Sequence, residues 1–311
     1  MPDFQLSPRF DIQGVGAASG LVYQPDRLWL ISDSSSFLYD YQMATQTLDK
    51  HALVSQAADH IEKKNKFDLE VICQKDQQLY VFGSGSTAKR QILFCCDVSN
   101  LDKPDQAIER LDLSTLYQQF RLIAQLADDE LNIEGVIYQA SPQQADRWVF
   151  LQRGNGATAN NGLFVLSDVT FKAFLQPDVQ SEMLPQSSRI LTEPHMGLLA
   201  DIKFYPVKLP AISQVESGFT DGYLLADKLY FLAAAEDTTS TYLDGTVLGS
   251  LFGCIDLINF ELQWSFIISS KHKFEGLTLE QQSDQQLVFL LCEDNDTAVL
   301  ASTLYQLSIN L

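Results

Sequence analysis

A short module returns five times along this chain, and nothing else in the sequence limits the fold as strongly. It reads as an acidic or hydroxyl residue, a glycine or small residue, two or three apolar residues, a turn, and a second apolar strand ending in polar residues. The copies are Ser19-Gly20-Leu21, Glu70-Val71-Ile72, Glu134-Gly135-Val136, Asp221-Gly222-Tyr223 and Glu275-Gly276-Leu277. One such unit cannot bury its apolar face alone, so five of them predict an array of like units closed into a ring.

Strand pairs are read directly around each copy. Residues 19–24 and 28–32 flank a Pro25-Asp26-Arg27 turn, and 69–74 pairs with 79–82, 133–139 with 148–152, 222–226 with 229–235, and 275–280 with 287–292. A third apolar stretch follows each pair, and a fourth strand is found for four of the units at 47–54, 107–113, 201–209 and 260–269. The last unit lacks its fourth strand because the sequence ends. Residues 4–12 (FQLSPRFDI) have no other home and are expected to close the ring by pairing with the last unit. The fold class is therefore all-β, a five-bladed β-propeller in a single domain over 1–311. A six-bladed propeller is the alternative, because 87 residues separate Glu134 from Asp221. Residues 170–200 carry no further copy of the module and are read instead as an insertion. Ser114 to Ala127 predicts one helix, with Ser114 as N-cap and Leu116, Phe120, Ile123 and Leu126 along one stripe.

The first strand of each propeller blade lines the central channel, and equivalent positions lie at equal height. Ser19, Glu70, Glu134, Asp221 and Glu275 are then expected to meet at the axis. Carboxylates that close raise one another's pKa values unless a cation holds them. An all-oxygen set without His or Cys suits Ca2+, with Mg2+ second because it demands octahedral geometry and retains water.

The loops at the same mouth bring further polar residues. Those after the second strands include Asp33, Ser84, Ser86, Lys89, Arg90, Arg153, Asn155, Glu236, Asp237, Glu293, Asp294 and Asp296. Those before the first strands include Lys63, Lys64, Lys66, Lys271, His272 and Lys273. Eight of the 21 basic residues fall there, which suits an anionic small-molecule ligand, phosphate-bearing or carboxylated. In a metal-assisted hydrolysis Arg153 would bind the anion, and Asp33 or Glu236 would orient or deprotonate the nucleophile. Ser84, Lys89, Arg90, Asn155, Asp237 and Glu293 would bind substrate. A non-catalytic binding or scaffold propeller, with an ion tying the blades together, is the second reading. Glycoside or lactone hydrolysis by Asp33, Glu236 and Glu293 is the third.

These residues resemble the calcium-activated nucleotidase (apyrase) family, five-bladed propellers with one channel Ca2+ held by a Ser, Glu, Glu, Ser, Glu series. The strings FDLEVICQKDQQLYVFGSGS, RWVFLQR and KFEGLTL look alike. Asp221 stands where that series has its second Ser. The family's first-blade acidic pair followed by Arg-Thr-Gly is here Ser32 to Ser36, so Asp33 alone carries over, and its paired Arg is Arg153-Gly154. The resemblance implies Ca2+ and nucleotide hydrolysis. The chain also looks like uncharacterised bacterial propellers whose blade ends read GSGS, RGN and AAED.

Other chemistry is not signalled. Gly83-Ser84-Gly85-Ser86 lacks the helix and Lys spacing of a phosphate loop, and no Gly-x-Ser-x-Gly or His-Glu-x-x-His occurs. A net charge of −19 disfavours nucleic acid polymers and anionic membranes, and no apolar run is long enough for a span. Five cysteines in apolar strands, with no signal peptide, are expected to be reduced thiols of a cytoplasmic protein.

Overall fold

The apolar runs form five antiparallel four-stranded sheets set around one axis. The computed structural model describes residues 2–101, 103, 108–142, 144–154, 158, 160–177, 179, 193–238, 245–294 and 299–311, the side chains of 193–195 excepted. Strand β1 (Phe4–Gln13) comes first. Blade 1 is β2 (Ala18–Gln24), β3 (Arg27–Ser32), β4 (Phe37–Gln42) and β5 (Thr47–Ala52). Blade 2 is β6 (Leu69–Lys75), β7 (Gln78–Gly83), β8 (Ile92–Asp97) and β9 (Glu109–Asp112). Blade 3 is β10 (Ile133–Gln139), β11 (Arg147–Gln152), β12 (Gly162–Ser167) and β13 (Lys203–Pro206). A two-stranded ribbon, β14 (Ala211–Ile212) and β15 (Val215–Glu216), leads to blade 4: β16 (Gly218–Leu225), β17 (Lys228–Asp237), β18 (Thr246–Asp256) and β19 (Glu261–Ser269). Blade 5 is β20 (Phe274–Gln282), β21 (Gln286–Glu293) and β22 (Ala301–Asn310), with β1 outermost.

Phe4 pairs with Ile309 and Gln13 with Ala301, so the N-terminal strand closes the ring as expected and leaves no inner edge open. The inner strands β2, β6, β10, β16 and β20 neighbour one another in that order and return to β2. Five blades are present among the described residues, which removes the six-bladed alternative. The long interval in blade 3 holds helices instead, α2 (Asp168–Phe174) and α3 (Glu193–Asp201) following α1 (Ser114–Ala124) of blade 2.

Burial follows the same logic. The core is five apolar clusters, one in each gap between blades: Trp29 and Phe94 in the first, Trp148 and Phe150 in the second, Phe219 and Phe231 in the third. Phe252 and Phe289 fill the fourth, and Leu28 and Leu290 the fifth. Second strands touch both gaps and read as near-continuous apolar runs, while the outer β5 is largely exposed, with Leu48 and His51 half-buried. Helix α1 widens the second gap, with Phe120 stacked on Phe164 at 4.2 Å and Tyr117 donating to the Gly83 carbonyl. Ser114 is the first residue of α1 and not its cap. Leu113 takes the cap position without a side-chain bond, and Asp112 accepts from the Ser114 N–H at 2.8 Å.

Among the described residues no helix is long and apolar enough to cross a membrane. All five cysteines are free, and Cys95 is the one partly exposed.

Candidate functional site

Every inner strand carries a one-residue irregularity near its start. The register shifts between Ala18 and Gly20, Leu69 and Val71, Ile133 and Gly135, Phe219 and Asp221, and Phe274 and Gly276. A β-bulge leaves one residue out of the ladder and re-aims its side chain. Those residues are Ser19, Glu70, Glu134, Thr220 and Glu275.

Four of the five expected ring members are therefore in place, and the fourth position moves by one residue. Asp221 is not a ring member. Its carboxylate oxygens accept from the backbone N–H groups of Gly222 and Leu277, both at 2.7 Å, and so stitch blade 4 to blade 5. Burial pushes its pKa well up, against the pull of those two bonds. The Asp-Gly pair imitates the Glu-Gly pairs in text, but the bulge aligns Thr220-Asp221 with Glu275-Gly276. Thr220 is fully buried and donates to the Phe274 carbonyl at 2.6 Å, as Ser19 donates to the Leu69 carbonyl at 2.5 Å. Each hydroxyl thus binds the residue just before the next blade's glutamate.

Carboxylate oxygens of Glu70, Glu134 and Glu275 lie within 4.8 Å of one another, and those of Asp33, Asp68 and Glu70 do likewise. Two residues before the ring stand Asp68, Asn132 and Lys273. Asn132 donates to Glu134 at 2.6 Å, and Lys273 meets Glu275 at 2.7 Å, Glu236 at 3.1 Å and Asp294 at 3.5 Å. Arg153 bridges Glu134 (3.3 Å) and Glu236 (2.9 Å). Lys66 pairs with Asp33 and, at 3.1 Å, with Asp68, which also receives Arg90 and Ser84, both at 2.6 Å. Asp68 itself sits in left-handed backbone, φ 55°.

Charge does not balance here. Asp33, Asp68, Glu70, Glu134, Glu236, Glu275 and Asp294 face four cations, Lys66, Arg90, Arg153 and Lys273, leaving three negative charges over. Burial, then the neighbouring Glu134, Asp68 and Glu275, pushes Glu70 well above the usual carboxyl range. Burial does the same to Glu275, with Lys273 opposing it, and raises Glu134 and Asp33 against Arg153 and Lys66 respectively. Burial alone would lower Lys66, Lys273 and Arg153, but the carboxylates outweigh it and hold all three protonated. Several polar atoms of the site lack a hydrogen-bond partner, the buried Arg153 Nε among them. Among the described residues no hydrogen bond reaches the Glu70 carboxylate, and Asp33 Oδ1 is buried without a hydrogen-bond partner.

The remaining expected residues spread outward from this centre. Lys89 is exposed at the rim, bonded to Asn65 at 2.9 Å, and Asp237 is exposed. Glu293 turns to His272 (2.6 Å) and the Tyr305 hydroxyl (2.9 Å), while Asp33 pairs with Lys66 and Glu236 with Arg153. Asn155 and Asp296 lie outside the described residues. Sequence reading missed Thr220, Asp68 and Asn132. Asp68 and Asn132 each stand just before an inner strand, two positions ahead of its glutamate.

The profile of a family of unknown function, DUF6929, matches residues 14–309. No curated protein sequence matches the chain. Among solved structures the chain is similar to a PQQ-bound aldose sugar dehydrogenase from Streptomyces coelicolor, at 10% identity and TM-score 0.49 over 99% of this chain and 100% of that one. It is similar to an exo-1,5-α-L-arabinanase from a bovine ruminal metagenomic library, at 10% identity and TM-score 0.48 over 94% and 92%. Myxococcus xanthus glutaminyl cyclase gives 10% and 0.48 over 98% and 97%. At such values these likenesses say nothing of substrate.

Proposed function

We propose that this chain, which belongs to the DUF6929 family, holds a hard dication in its channel mouth and uses it to hydrolyse a small phosphate-bearing anion. The observation that carries this reading is the Glu70–Glu134–Glu275 triangle, buried and over-negative, with no donor on Glu70 among the described residues. Oxygens no more than 4.8 Å apart can share one Ca2+, whose oxygen ligands stand at most about 4.6–5.2 Å from one another. Thr220 in place of Asp221 gives a Ser, Glu, Glu, Thr, Glu ring, hydroxyl and carboxylate in the same order as the nucleotidase series. Ca2+ is the first choice and Mg2+ the second.

Glu70, Glu134 and Glu275 would hold the ion, with Asn132, Arg153 and Lys273 fixing the two latter carboxylates. When bound, such an ion polarises a phosphoryl oxygen and acidifies water. Asp33 is the proton acceptor: Lys66 holds one of its oxygens, the other is unpartnered, and a Glu70 oxygen lies within 4.8 Å. Arg153 and Glu236 position this centre through their mutual ion pair, a different role from the anion binding and proton transfer that their sequence positions suggest. A bound dication would cut the excess from three negative charges to one, and the exposed Lys64, Lys89 and Lys271 at the rim would draw the anion in.

Phosphate release from nucleotides and sugar phosphates, with and without Ca2+, tests this. Glu134→Gln should lose turnover and the Ca2+ response together, while Asp33→Asn should lose turnover alone. A Ca2+-loaded protein that releases no phosphate across the panel contradicts hydrolysis. One observation favours a purely structural ion: every buried mouth cation is already tied to carboxylates. Stabilisation by Ca2+ without turnover is the result that reading expects.

A further inference from the structure

The opposite end of the channel differs in kind. Below the polar ring, Leu21, Ile72, Val136 and Leu277 form an apolar collar, and blade 4 contributes Gly222 at the same level, two residues past its bulge. The collar opens into a cavity of about 360 Å3 whose lining includes no member of the glutamate ring. Its walls continue through Val22, Cys73 and Ile137, and Tyr23, Tyr138 and Tyr223 stand at its edge. Ligand pockets run from about 300 to 1,000 Å3 and combine apolar walls with a few polar groups. Asp221 stands here and not at the front because its carboxylate is spent on two backbone N–H groups.

We propose that this back cavity is a second binding site, for a small neutral molecule with an apolar body and one hydrogen-bonding end. No lysine or arginine lines it, so nothing in the lining draws an anion in. The space beside Tyr138 that a ligand ammonium would seek is taken by Lys75, whose Nζ lies 4.2 Å from the ring centroid. The collar offers no donor or acceptor from its side chains, while Gln74, Asp76, Asp221 and Thr278 bring polar groups to the rest of the lining. Thr278 accepts from the Tyr23 N–H at 3.1 Å and keeps its own proton for a ligand. The site is independent of the dication, because the collar separates the two.

Fluorescence titration with the neutral dye N-phenyl-1-naphthylamine tests the assignment. Wild-type protein should bind one dye per chain saturably, and Glu134→Gln at the far mouth should bind it equally. Thr278→Trp and Val22→Trp, which fill the cavity from different blades, should each weaken binding by about tenfold or more, in line with an apolar cavity losing its volume. Methyl NMR of the wild-type protein needs no variant and decides the matter should both fillers misfold: dye should shift Ile72, Val136 and Leu277 and leave the other gaps unmoved. Absence of saturable binding, retained binding in a folded filler variant, or shifts elsewhere would overturn the proposal.

Discussion

Leu21 of blade 1 seats on Gly276 of blade 5, where a Cβ would stand 2.4 Å from Leu21 Cδ2 and 2.5 Å from Cys292 Sγ. One blade on, a Cβ on Gly20 would stand 3.1 Å from the Ile72 Cγ2. The repeated acid–glycine pair therefore has two separate jobs. Its first residue bulges towards the axis, and its second admits the next blade's apolar side chain.

Gly276→Ala should destabilise the fold by about 1–3 kcal/mol through overpacking, since the backbone of Gly20 at 3.0 Å cannot give way as a side chain can. Gly20→Ala, which meets flexible Ile72 and Ile31 atoms, should cost less. Urea denaturation of the two variants ranks them; equal stability to wild type at Gly276 would show that the blades tolerate a wider spacing.

Arg153 lies 96–97% buried by exposure, and its loss leaves Glu134 and Glu236 without their shared guanidinium. Removing one partner of a buried pair costs about 3–5 kcal/mol. Arg153→Met should accordingly melt lower in chelator. Its rise in Tm on adding Ca2+ should exceed the wild-type rise, because the site has become more negative.

Titration gives a sign as well. Glu70, Glu134 and Glu275 have folded pKa values raised above the ordinary 4.5, with burial as the main cause. A raised group stabilises below its unfolded pKa, and that contribution is lost as pH rises through its folded pKa. Chelated protein should thus lose stability as pH climbs from 4.5 upward, and saturating Ca2+ should flatten the slope. Thermal melts across pH, with and without the ion, measure the difference.

Asp168 works in the opposite direction and away from the axis. Burial would raise its pKa, but bonds from Lys172, Lys75 and Trp148 hold it below the usual carboxylate range. Trp148 Nε1 donates at 2.8 Å and Lys75 reaches it from blade 2 at 2.6 Å. Asp168→Ala leaves a buried indole N–H unpaired and should cost about 1–3 kcal/mol at neutral pH. The difference from wild type should shrink as acid protonates Asp168.

Much of this was legible in the chain. Blade count, ring closure by residues 4–12 and four of five ring positions follow from strand periodicity and the module's spacing. Thr220 was hidden because a bulge adds one residue without any mark in the text, and Asp221-Gly222 offered a false match. Asp68 and Asn132 were hidden by attention to the module's first residue, although each stands two positions before a ring glutamate. The pairing of Arg153 with both Glu134 and Glu236 joins blades 3 and 4, and no local pattern reports a contact across 83 residues. The collar and the back cavity exist only once five strands share an axis.

Calorimetric titration of Ca2+ into chelator-treated protein addresses the glutamate triangle most directly. One ion per chain should bind wild type with a matching rise in Tm, and Glu70→Gln should bind it far more weakly. A flat titration together with an unchanged Tm would mean that the buried acids hold protons and not a metal.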